Sequence, residues 1–118
     1  MAMTESTAPV RYRDGTAVVD LPAQIDASAE RALNEAYATA AGHGSKTVLL
    51  NFGRVEFLSS TGIALVVGIL ARARKDGRTI TASGLSDHYR EIFEITRLAD
   101  FMKIYADESV ALKGGEST

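Results

Sequence analysis

The chain has no cysteine. Disulfide staples and thiolate metal sites are therefore excluded, and the composition fits a reducing compartment. Positive charge is not in excess: 13 Lys and Arg stand against 15 Asp and Glu, a formal net charge of -2, with both signs spread along the chain. Binding to a phosphate backbone wants a basic stripe, so no nucleic-acid partner is expected. No apolar run approaches the roughly 20 residues of a membrane span. The longest, Ile63 to Ala71, has the length of a core or interface helix segment, so no membrane insertion is expected. Phosphate-cradling glycines are also missing, since Gly53 and Gly62 have neither the spacing nor the lysine of a P-loop. His43 and His88 fall on separate elements in polar surroundings and read as surface residues. Asp14, Asp20 and Asp26 stand near turns or caps, where backbone structure alone accounts for them. With no acid–base pair in view, the expectation is a protein that is not an enzyme and holds neither metal nor cofactor.

What is present is an ordinary globular composition, 46% hydrophobic and 24% charged over 118 residues. That suits one domain, with a core large enough to need no staple. Residues 1–8 contain hydroxyl side chains but no apolar stretch, so they read as a flexible tail rather than a signal peptide. Residues 113–118 read as a second tail, which leaves 9–112 as the domain and the cytosol as its expected location.

Val10 to Arg13 and Thr16 to Leu21 flank Asp14-Gly15, a strong hairpin signal. Pro22 interrupts, and Asp26 or Ser28 can cap a helix from about Ala27 to His43, with Gly42 and Gly44 at its end. Thr47 to Phe52 is a nearly continuous apolar run, the mark of a central strand covered on both faces. Gly53 to Leu58 is a connection. A helix from about Ser60 to Lys75 that Asp76-Gly77 stops, a strand Thr79 to Ala82, a helix that Ser86 can cap and that runs to about Thr96, a strand Phe101 to Tyr105 and a short helix that Asp107 can cap and that runs through Leu112 follow. Strands that alternate with helices imply crossover units, so the fold class is α/β: a mixed sheet of about five strands, the first hairpin antiparallel, with about four helices.

One segment draws chemistry to itself. Ser59, Ser60 and Thr61 present three consecutive hydroxyls after a buried-looking strand and at the start of a helix. One of them serves as an N-cap. Another reading is a phosphoacceptor, because the free N–H groups and dipole of a helix start stabilise an added phosphate. In the helix itself, Ile63, Val66, Val67 and Leu70 form one stripe that can face the sheet. Leu65 and Ile69 lie off its centre, and Ala64 and Gly68 leave a low, flat surface. A helix apolar all round in so small a domain either packs under a neighbour or waits for another protein.

The stretch VLLNFGRVEFLSSTGIALVVGILARARKDGRTITASGL resembles the core of the STAS domain in bacterial anti-sigma factor antagonists, and weaker similarity extends over roughly Val10 to Leu112. The Leu21-to-Asp26 turn resembles the family's turn before its first helix, and Arg90 to Leu98 its third helix. The resemblance implies a single STAS domain over 9–112. It implies a partner that is an anti-sigma factor, often an ATP-dependent serine kinase, whose capture releases a sigma factor. The kinase phosphorylates a serine in an Asp-Ser-Ser/Thr-Gly motif and so ends binding, and a phosphatase restores it. Ser59-Ser60-Thr61-Gly62 matches that motif, which makes Ser60 the implied phosphorylation site and puts Ser59 where aspartate is usual. Asn51 likewise stands where aspartate is common. The implied partner surface comprises Asp26, Ser59, Ser60, Thr61, Gly62, Ala64, Leu65 and Gly68. The two neutral replacements keep an alternative open, a STAS interaction module that is not phosphorylated and serves a signalling scaffold or a lipid- or anion-transport complex.

Overall fold

A computed structural model describes residues 7–113, so most of each expected tail lies outside the described residues. Strands β1 (Val10–Arg13) and β2 (Thr16–Asp20) pair antiparallel through a two-residue turn. Asp14 and Gly15 both have positive φ, 51° and 84°. That is the turn whose twist matches the strands on either side, and it is why Asp-Gly forms it. The chain then makes a two-residue strand, β3 (Gln24–Ile25), a 3-10 turn (Ala27–Ala29) and helix α1 (Glu30–Gly42). Strands β4 (Thr47–Asn51) and β5 (Phe57–Leu58) lead into helix α2 (Ser60–Asp76). After β6 (Thr79–Ser83) come helix α3 (Asp87–Ile95), a 3-10 turn (Leu98–Asp100), β7 (Lys103–Tyr105) and helix α4 (Glu108–Leu112).

The main sheet has the order β1-β2-β4-β6-β7, and every pair after the hairpin is parallel. β4 is therefore the central strand, and Val48, Leu49 and Leu50 are all at most 1% exposed, as its unbroken apolar run requires. Ala17 and Val19, Val48 and Leu50, Ile80 and Ala82 face one side and join Leu33, Tyr37, Val66, Ile69 and Phe93 in the core. The Tyr37 hydroxyl donates to Asp76 at 2.7 Å, and Arg72 lies over the Tyr37 ring at 4.7 Å, which fastens α1 to the end of α2. Burial, and then the Asp76 carboxylate, hold that phenol above its ordinary pKa.

Val18, Leu49, Thr81 and Ser83 face the other side, where α4 packs across β6 and β7. Arg11 ties that helix down. Its guanidinium binds Asp20 through Nε and Nη2 at 2.6 and 2.7 Å, and Glu108 through Nη1 and Nη2 at 3.0 and 2.7 Å. Both carboxylates are held below their usual range, first by hydrogen bonds from Arg11.

Three expectations are corrected. The segment 53–58 carries a short strand, β5, which pairs in parallel with β3 to make a separate two-stranded sheet. Strands of two residues are too short to show an alternation. The last strand begins at Lys103, not Phe101. Arg97, at φ 69°, diverts the chain into a 3-10 turn first, which leaves Phe101 outside and Met102 buried. Finally, the face that α2 turns inward is Gly62, Val66, Ile69 and Ala73, so Ile69 is core, 3% exposed, and Val67 is 43% exposed.

Candidate partner-binding site

The small sheet builds the site. Ile25 pairs with Leu58, and the backbone N–H of Ser59 donates to the Ile25 carbonyl at 3.0 Å. This sets the turn beginning at Asp26 beside the start of α2. From α3, the Tyr89 hydroxyl accepts from the Leu58 N–H at 3.0 Å, so a third element holds the loop. Asp26 caps the 3-10 turn, accepting from the Ser28 N–H at 2.9 Å and from its hydroxyl at 2.5 Å. Those two bonds, the hydroxyl's first, keep the Asp26 carboxyl below its ordinary pKa and therefore charged.

The three hydroxyls have separate positions. Ser59 is the N-cap: its Oγ accepts from the Gly62 N–H at 3.0 Å and lies 3.4 Å from the Ile25 carbonyl, to which it donates. Ser60 opens the helix, exposed, with no hydrogen bond to its hydroxyl among the described residues. Thr61 is likewise exposed. Gly62 is buried, and a Cβ there would stand 2.1 Å from the Ile25 carbonyl oxygen. Its place in the site is thus that of a seat for the helix, beneath the surface rather than on it.

The close seat decides which way α2 faces. With Gly62 pressed on Ile25, residues four, seven and eleven further on are drawn inward, namely Val66, Ile69 and Ala73. The opposite side bears Ser60, Ala64, Val67, Gly68 and Ala71, all exposed. Leu65 is half-buried and packs against the core, so it borders this strip rather than standing within it. Phe57, on β5 and 47% exposed, lies next to the hydroxyl loop. Neither Phe57 nor Val67 was an expected site residue. For Phe57 the available signal was a large aromatic ring directly before the polar loop.

Asn51 stands at the end of β4, close to Asp20. Its amide donates to Asp20 at 2.8 Å and its carbonyl oxygen accepts from the Gly53 N–H at 3.0 Å. An amide can do both at once, whereas a carboxylate only accepts. His43 stacks on Tyr12 and His88 meets the edge of Tyr89, and both histidines are exposed. Among the described residues no three His, Asp or Glu are grouped to hold a metal ion, and no helix is long and apolar enough to cross a membrane.

Comparison with known proteins agrees with this fold. The anti-sigma-B factor antagonist of Staphylococcus aureus is 33% identical over 61 residues, 52% of this chain and 56% of that protein, so the match spans little more than half of the relative. An anti-sigma factor antagonist from Mycobacterium paratuberculosis superposes with a TM-score of 0.79 at 22% identity, covering 93% of each chain. The Bacillus cell fate determinant SpoIIAA, in its phosphorylated form, does so with a TM-score of 0.71 at 23% identity, covering 93% of this chain and 100% of the other. At such identities the two structures speak for the fold. The family model described as "Mlab, STAS domain" matches residues 9–105, from the residue before β1 to the end of β7, and the chain belongs to the STAS domain family.

Proposed function

We propose that this protein is an anti-sigma factor antagonist: it binds an anti-sigma factor, an ATP-dependent serine kinase, and thereby frees a sigma factor in the cytosol. Phosphorylation of Ser60 ends the binding and a phosphatase restores it. The protein acts by association and performs no chemistry of its own. The observation that carries this reading is the position of Ser60. Its hydroxyl is exposed, the neighbouring Ser59 already supplies the cap, and Ser60 heads the strip Ala64, Val67, Gly68 and Ala71. Gly68 adds support. A Cβ there would meet nothing within 4 Å, so packing gives no reason for a glycine in mid-helix. Such a residue costs about 1 kcal/mol relative to alanine, and a close-fitting partner is a reason to keep the surface low.

A phosphate brings about −1.5 to −2 charges at neutral pH. A like charge about 4 Å away, at an effective dielectric near 20, repels with roughly 4 kcal/mol per unit pair. A third of that lowers affinity about tenfold. The phosphate also sits at the start of α2, whose dipole and free N–H groups accommodate it, so the domain stays folded.

The test is to incubate the protein with its purified kinase and ATP, map the phosphate, and measure anti-sigma factor binding of Ser60→Ala and Ser60→Asp. Phosphate on Ser60 and at least tenfold weaker binding of Ser60→Asp are expected. The neutral residues Ser59 and Asn51, where aspartates are usual, favour one other reading: a STAS module that binds without being phosphorylated. An unmodified Ser60, with Ser60→Asp binding as wild type, selects it.

A further inference from the structure

A cleft of about 430 Å³ lies between the second half of α2 and the turn after α3, away from the Ser60 loop. Its floor is Ala73, Ile80 and Leu98, all at most 6% exposed, and Leu70, Ala71 and Phe101 form its sides. The volume is within the range of about 300–1,000 Å³ usual for small-molecule sites. Phe101 is 59% exposed, yet its position is tightly set. Arg97 takes the left-handed conformation that side chains rarely adopt, the 3-10 turn follows, and buried Leu98 pins that turn. The backbone thus holds an aromatic ring beside an apolar trough instead of folding it away.

The charge of the lining is one-sided. Arg74 and Arg78 are its charged members and no carboxylate lines it, although the whole chain has a net charge of -2. Arg78 directs Nη1 and Nη2 to the carbonyls of Ser45 and Ala41, while its Nε is buried without a partner among the described residues. Arg74 is exposed in the last turn of α2 and has no ion pair among the described residues. A peptide entering this trough would bring backbone N–H and C=O groups that its hydrocarbon walls cannot pair, whereas an alkyl chain brings none.

We infer that the cleft binds a free long-chain fatty carboxylate, with the alkyl chain along Leu70, Ala71 and Phe101 and the carboxylate at Arg74, on the side where Arg78 lies. Arginine pairs with a carboxylate through two parallel hydrogen bonds, which suits this head better than a neutral one. The cleft shares Val67 and Ala71 with the strip below Ser60 and so borders the proposed partner surface, but neither the ligand nor its test requires Ser60 or a protein partner.

Titrate the full chain with sodium laurate below its micelle concentration by calorimetry, and map the contact by amide chemical shifts. One site per chain is expected, with a micromolar Kd and the largest shifts at Ala71, Arg74 and Phe101. Ala71→Trp, which fills the trough from an exposed position, weakens binding at least tenfold, as does Phe101→Ala should the tryptophan disturb the fold. Arg74→Gln, and dodecanol in place of laurate, each lower affinity about tenfold. Absence of saturable binding, indifference to both cleft variants, or equal affinity for laurate and dodecanol overturns the inference.

Discussion

At Gly62 one added carbon would stand 2.1 Å from the Ile25 carbonyl oxygen, a backbone atom that cannot swing aside. Gly62→Ala therefore has to push α2 off β3. The gain in helix propensity, about 1 kcal/mol, is outweighed, and a net loss of about 1–3 kcal/mol is expected from such overpacking. Urea unfolding midpoints measure it, and an unchanged midpoint would show that the seat is soft. Ser59 poses a different question, because its hydroxyl both accepts from Gly62 and donates to Ile25. Ser59→Asp keeps the cap and its favourable charge at the helix start, but a carboxylate cannot donate to Ile25. Stability should change by less than about 1 kcal/mol, while a kinase that needs the acidic neighbour should phosphorylate Ser60 faster. Timed phosphopeptide mapping of both proteins decides this. Asn51 has the opposite logic. Asn51→Asp turns a donor to Asp20 into a second carboxylate beside it. The cost at pH 7 is about 1–3 kcal/mol. The folded pair then protonates above the unfolded value of about 4, so this variant gains stability relative to wild type as pH falls from 7. Urea midpoints across that range read the difference, and parallel curves would refute it.

Helix α2 shows how much a hydrophobic pattern leaves open. Ile63 to Ala71 is apolar on nearly every side, so periodicity cannot choose between the Val67 face and the Ile69 face. A backbone contact with no hydrophobic signature, Gly62 on Ile25, makes the choice. Ile69→Ala should accordingly cost about 2–4 kcal/mol as a core cavity, and Val67→Ser no more than about 0.5 kcal/mol as a surface change. Gly68→Ala should raise stability by about 0.5–1 kcal/mol. Gly68→Arg should spare the fold and abolish binding of the proposed anti-sigma factor partner. Thermal melts beside a pull-down distinguish these variants, and a large loss of stability in Val67→Ser would return that residue to the core. Other elements were legible for local reasons. The Asp14-Gly15 hairpin, the Ser86 and Asp107 caps and the Gly77 stop each depend on residues within one turn of one another.

The whole molecule is closed by one cation. Arg11 joins β1, β2 and α4 through Asp20 and Glu108, residues 9 and 97 positions away. Both carboxylates have folded pKa values below their unfolded ones. Their contribution is therefore complete above the unfolded values of about 4 and is lost as pH falls through the folded values. Arg11 and Glu108 are partly exposed, at 37% and 25%, so the link is discounted for solvent. Glu108→Gln should lower stability at pH 7 by about 0.5–1 kcal/mol, and the difference from wild type should shrink as acid protonates Glu108. Urea midpoints between pH 3 and 7 check the slope, and a difference that persists at pH 3 would assign the loss to packing instead.

Composition, turn residues and the unbroken run of β4 were enough to specify an α/β domain with that strand in the middle, because burial on both faces and capping are written in neighbouring residues. The order of hydroxyls at 59–61 was enough to single out a candidate site. Its division of labour was not in the sequence. Ser59 became the cap, Ser60 the free hydroxyl and Gly62 the seat only when β3 and β5 paired across more than 30 residues and brought Ile25 against the helix start. The arginine link to α4 and the cleft beside Phe101 are of the same kind. Contacts between distant segments follow from how the sheet stacks and where a strained turn such as Arg97 sends the chain, and no local pattern records them.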